Sequence, residues 1–144
     1  MKKTILALAL IVSVSVFAQT ETYSKSGKIP AIVKAAFEKA YPQVKDAKWE
    51  KENGNFEAGY TENKSKKSVL LDAKGKVLET EYEIPLTNLS KAITDYVAKN
   101  YPNKKVKGAA KITDFNNKVT YEAEVKGMDI LFDDKGNFIK VSKD

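Results

Sequence analysis

Two stretches of this chain occur twice. "KAYP" at 39–42 and "KNYP" at 99–102 place a Tyr-Pro pair at positions 60 residues apart, and "LDAKGKVL" at 71–78 and "FDDKGNFI" at 132–139 match with a shift of 61. A unit of roughly 60 residues buries only about 60% of the surface its unfolded chain exposes, which leaves it marginal by itself. The chain has no cysteine, so no disulfide can compensate. Duplication answers the problem by letting two such units share one sheet.

Each unit opens with a helical pattern. Ile29, Val33, Phe37, Ala40 and Tyr41 recur at helical spacing; Pro30 suits a first helical turn and Pro42 stops the run. Leu89, Ile93, Val97 and Tyr101 repeat the stripe 60 residues on, with Thr87 or Asn88 as the cap and Pro102 as the stop. The period then changes to two. Ala47 and Trp49 alternate with Lys48 and Glu50, and Phe56, Ala58 and Tyr60 alternate with Glu57, Gly59 and Thr61. In the second unit Val119, Tyr121, Ala123 and Val125 alternate with Thr120, Glu122 and Glu124. Such segments are strands with one buried and one wet face. Gly75 and Gly136 supply the left-handed residue of equivalent hairpin turns. The expected fold is α+β: two helix-plus-four-strand repeats, 28–84 and 85–144, forming one eight-stranded antiparallel sheet with both helices on one face.

The first residues stand outside this scheme. "MKKTILALALIVSVSVFA" has two lysines, a short apolar run and the small-x-small site Val16-Phe17-Ala18, the pattern of a signal peptide cleaved near Ala18–Gln19. The run is shorter than the roughly 20 residues that span a bilayer. Removal of 1–18 leaves 126 of the 144 residues and lowers the formal charge from +6 to +4. Residues 19–27 read as a flexible lead-in, and the protein as periplasmic or secreted, with no stable membrane insertion after cleavage.

The stretches "IPAIVKAAFEKAYP", "YEAEV" and "LFDDKGNF" resemble those of the exported PepSY-like proteins, over about Lys28 to Val141 and in two copies. That family is described as similar in fold to the beta-lactamase inhibitory protein, which binds its enzyme through a concave sheet. Related PepSY domains are proposed to bind or restrain peptidases. The resemblance implies a binding fold and transfers no catalytic residue.

Composition narrows the chemistry further. Without histidine or cysteine there is no conventional triad and no imidazole or thiolate metal site. Glu122 with Glu124, and Glu79 with Glu81 and Glu83, fit a solvated strand face, and "DDKGN" at 133–137 fits a turn better than a calcium loop. All 25 basic residues are lysine, with acids interspersed, which is a poor basis for nucleic-acid readout. The expectation is a monomeric, non-enzymatic protein with no cofactor, no metal and no nucleic-acid partner.

The uncovered sheet face is the expected site, with an envelope or extracellular protein or peptide as partner. If Val69, Leu71, Ile130 and Phe132 point to the helices, Leu70 and Leu131 point outward at equivalent repeat positions. Lys48, Glu50, Glu57, Lys107, Lys111, Glu122 and Asp129 are expected beside them. Restraint of a peptidase or other hydrolase is the leading function. The alternatives are a small-ligand binder (peptide, glycan or lipid-like) that uses aromatics such as Tyr60 and Tyr121, and a surface scaffold that pairs through its edge strands.

Overall fold

The structure, a computed structural model, describes residues 28–142. The signal peptide and lead-in expected over 1–27 lie outside the described residues. In chain order the elements are α1 Ala31–Ala40, β1 Lys48–Glu52, β2 Asn55–Glu62, β3 Ser65–Leu71, β4 Val77–Glu83, α2 Lys91–Asn100, β5 Gly108–Asp114, β6 Val119–Val125, β7 Met128–Asp133 and β8 Phe138–Ser142. The strands form one sheet in the order β1 to β8, each antiparallel to its neighbours. With four strands per unit, β5 runs in the direction of β1, so the second repeat is displaced along the sheet from the first. No described helix is long and apolar enough to cross a membrane.

The two helices begin and end for repeated reasons. α1 follows Pro30, whose carbonyl accepts the amides of Val33 and Lys34. α2 is capped by Ser90, whose hydroxyl accepts the Ile93 amide at 3.4 Å. The cap is thus Ser90 and not Thr87 or Asn88, which belong to a short 3-10 turn over Leu86–Asn88. Both helices stop at a tyrosine before proline. Tyr41 and Tyr101 leave the helical region with nearly equal angles, φ −128° and −132°, because the following proline ring excludes the helical conformation.

Val33 and Phe37 of α1 pack on Phe56 and Ala58 of β2 and Val69 and Leu71 of β3, with Trp49 edge-on to Phe37 at 5.3 Å. Ile93 and Val97 of α2 pack on Ala123, Val125, Ile130 and Phe132. Burial of each large apolar side chain stabilises the fold by about 1.5–3 kcal/mol. Ala40, placed in the helical stripe above, is exposed, and Ala36 faces the sheet instead. The buried hydrophobic residues other than Ala110 form two clusters, one per repeat, that share no member.

A polar seam separates them on the helix-covered side. Ala58, Val69, Thr80, Thr113 and Val119 are successive cross-strand partners, as are Tyr60, Lys67, Tyr82, Lys111 and Tyr121 in the next rung. Directly opposed residues share a face, so both rungs lie on the helix side. The repeat boundary at β4–β5 therefore contributes threonine, tyrosine and lysine where each unit has its apolar cluster.

Three turns at one end of the sheet use a common device. The carboxylates of Asp72, Asp114 and Asp133 each accept amides two and four residues on, at 2.7–3.0 Å. Gly75 and Gly136 occupy the left-handed position in the first and third turns, and Asn117 (φ 63°) takes it in the second. Lys76 sits 4.0 Å above the Phe115 ring, joining the turns on either side of the repeat boundary.

Candidate functional site

The side of the sheet opposite the helices is uncovered. The register places Glu50, Glu57, Leu70 and Glu79 in one rung across β1 to β4. Another rung runs Lys48, Gly59, Ser68, Glu81, Ile112 and Thr120. A third joins Glu83, Ala110, Glu122, Leu131 and Lys140, and Glu124, Asp129 and Ser142 stand beyond it. Lys48, Lys66, Lys118 and Lys140 are outnumbered by carboxylates here, so the face is acidic although the chain carries a formal charge of +6.

Curvature turns this face into a hollow. Glu52 of β1, Glu81 of β4 and Ser142 of β8 line one cleft of about 530 Å³, together with Leu70, Ile112 and Leu131. A second cleft of about 910 Å³ lies toward the β1–β2 side, between Lys48, Glu50 and Tyr60 at one wall and Glu122 and Glu124 at the other. Strands at opposite edges can line one cleft only if the sheet bends around it.

Glu81 sits at the middle of this hollow, half-buried with no helix above it. Loss of water pushes its carboxyl up to about 7, and Glu57, Asp129, Glu52 and Glu79 add repulsion. A carboxyl that shares its proton with solvent near neutral pH makes the charge of the face responsive to pH and to any cation brought against it. Among the described residues no group of three acidic side chains is arranged to hold a metal ion.

The register brings together Lys48, Glu50, Glu57, Leu70, Glu122, Asp129 and Leu131 as expected. Leu70 and Leu131 are both half-buried, and each precedes a register shift in its strand, a bulge that both repeats keep. Lys111 is a correction. It opposes Tyr82 and Tyr121 on the helix-covered side. Lys107 precedes β5 and gives its amide to the Glu124 carbonyl at 2.8 Å, outside the strand rungs. Both errors come from β5, where Ala109 and Ala110 are equally buried and erase the alternation. Sequence reasoning passed over Ile112 for the same reason. It treated Glu81 as an ordinary wet strand residue, since nothing local reveals the bend that buries it.

Comparison with known proteins agrees with this architecture. The family model described as "Putative beta-lactamase-inhibitor-like, PepSY-like" matches residues 18–79 and 54–140. The chain is similar to a solved structure from Bacteroides eggerthii described as "putative periplasmic proteins", at 18% identity and a TM-score of 0.68, covering 81% of this chain and 90% of that one. It is similar to a DUF2874 family protein from Bacteroides ovatus at 17% identity and a TM-score of 0.66, covering 82% and 89%. A BLIP-like protein from Bacteroides fragilis aligns at 22% identity with a TM-score of 0.60, covering 82% and 88%. No curated protein matches the chain. With two family matches that together run from residue 18 to residue 140, on a sheet of two repeated helix-plus-four-strand units, the chain belongs to the PepSY-like, beta-lactamase-inhibitor-like family.

Proposed function

We propose that this is an exported, non-enzymatic binding protein that receives another protein or an extended peptide in the hollow of its open sheet face. The observation that carries this reading is the cleft that residues from β1 through β8 line together on the side no helix covers. Its floor mixes Leu70, Ile112 and Leu131 with a field of carboxylates, an arrangement suited to an interface with an apolar centre and a charged rim. The matching surface of the partner is basic, because an acidic field attracts and orients positive charge. Restraint of a peptidase or other hydrolase is the biological role we assign, supported by the inhibitor-like description of the family. Absence of histidine and cysteine removes the imidazole and thiolate side chains on which most hydrolytic catalysis relies. The signal-like N-terminus and the description of a similar protein as periplasmic support export to the periplasm or beyond.

The test is affinity capture from envelope extract with residues 19–144 as bait, and a Leu70→Asp/Leu131→Asp double variant as control. A hydrolase retained by the parent and lost by the folded variant, with its activity reduced by added parent protein, is the expected result. Equal retention by both would remove this face from consideration. Retention of nothing by a folded, monomeric bait would move the search to small envelope ligands.

A further inference from the structure

The polar seam between the two apolar clusters lies on the other side of the sheet from that hollow, and its Tyr82, Lys111 and Tyr121 line neither cleft. Lys111 stands there directly between two tyrosines, Tyr82 on β4 and Tyr121 on β6. Adjacent strands are about 4.8 Å apart, so the two tyrosines are separated by about 9.6 Å along the rung. All three residues are half-buried. Tyr82 belongs to neither apolar cluster, and Tyr121 only borders the second.

The two lysines of this rung differ. Lys67 is engaged: its ammonium bonds the Glu62 carboxylate and lies 4.9 Å from the Tyr82 ring centroid. The ammonium of Lys111 forms no ion pair, no hydrogen bond and no ring contact with any described residue. The residue is half-buried and finds no counter-charge among the described residues, so its ammonium is open to an external anion.

We propose that this seam is a second binding site, for an acidic saccharide whose rings rest on Tyr82 and Tyr121 and whose carboxylate or sulfate pairs with Lys111. Tyrosine offers an apolar ring with a hydroxyl at its edge, suited to a sugar that is apolar on its faces and polar around its rim. Among the described residues of this rung one unpaired cation serves two tyrosines, so the matching ligand carries one negative charge for every two rings. A nucleic acid carries a charge on every nucleotide and is bound by a continuous cationic track with stacking platforms for successive bases. A linear glycan that alternates acidic and neutral sugars has the required charge spacing.

The probe is a hyaluronan hexasaccharide, in which uronate and neutral sugar alternate, titrated calorimetrically into residues 19–144 and mapped by amide chemical shifts. We expect saturable binding with shifts concentrated in β4, β5 and β6. Lys111→Gln should weaken it at least about tenfold, the loss of one charge-assisted contact, while Lys111→Arg retains it. The Leu70→Asp/Leu131→Asp variant should bind the hexasaccharide like the parent, which separates this site from the open face. Absence of saturable binding, shifts confined to the open face, equal affinity of Lys111→Gln, or equal affinity for a neutral cellohexaose or a single-stranded oligonucleotide would each overturn the proposal. Shift mapping on the parent decides the matter even if a variant does not fold.

Discussion

Gly75 lies so close to α1 that a Cβ built on it would sit 2.7 Å from that of Ala36 and 3.2 Å from the Ile32 carbonyl oxygen. The β3–β4 turn is thereby pressed against the helix, and Gly136 repeats the contact in the second unit, with Ser90 Oγ at 2.9 Å and Ala92 Cβ at 3.0 Å. Both glycines also have φ near +84°, as does Gly54, whose Cβ would meet nothing within 4 Å. Gly54→Ala should cost only the left-handed penalty, about 1 kcal/mol. Gly75→Ala and Gly136→Ala should cost about 2–4 kcal/mol, the same penalty plus overpacking. Denaturant unfolding of the three variants tests the order, and equal losses would show that the helix yields to the turn.

The opposite change should stabilise the β2–β3 turn. Asn63 and Lys64 both adopt positive φ, at 53° and 66°, and lysine gains nothing there from its exposed side chain. Lys64→Gly should raise stability by about 0.5–1 kcal/mol, because the relieved strain exceeds the added freedom of the unfolded chain. A lower midpoint in chemical denaturation would show that the lysine side chain contributes more than its backbone costs.

Glu81 makes a prediction with a definite sign. Its folded-state value is raised from 4.5 to about 7, so the folded protein holds this proton more tightly than the unfolded chain. Below about pH 4.5 both states are protonated at this position and the group costs nothing. As pH rises from 4.5 through 7, the buried negative charge forms and stability falls. Glu81→Gln should match the parent at low pH and exceed it above pH 7. The gain is on the order of 1–2 kcal/mol, discounted for solvent screening at this half-buried site. Unfolding curves of parent and variant across this range test it; a difference independent of pH would place its origin elsewhere.

The separation of the two apolar clusters predicts uneven stability. Phe37 is 2% exposed and contacts Tyr41, Trp49 and Tyr60 through its ring. Phe37→Ala should cost about 3–5 kcal/mol. In native-state hydrogen exchange the loss of protection should fall on β1 to β3 before β6 to β8, as expected when sub-global units open independently. Uniform loss across all eight strands would mean that the polar seam transmits cooperativity as well as an apolar core does.

Much of this fold is legible in the sequence because local periodicities repeat. The stripe of Val33 and Phe37, echoed by Ile93 and Val97, marks both helices, and the alternation around Ala58 and Ala123 marks the covered face. Ala40 is ambiguous in the sequence because it lies four residues from Ala36 on the edge of the stripe, where a small side chain leaves the facing direction open. Trp49 follows the phase of Ala47 into the core, as its alternation requires. Lys111 is assigned to the wrong face by the sequence because β5 is central and its consecutive alanines are buried on both sides. Most of the open-face residues were found by counting along strands. The curvature that gathers Glu52 and Ser142 into one cleft, and the seam formed where Thr80 and Tyr82 meet Thr113 and Lys111, arise from pairing between repeats. No local pattern records either one.

The polar seam also bears on how such a protein diversifies. Substitutions at Thr80, Tyr82, Lys111 or Thr113 alter the joint between two units whose cores lie to either side. The angle between the units, and with it the depth of the hollow beneath, can therefore drift while both cores stay intact. Shape on one side of the sheet becomes an inheritable variable written on the other.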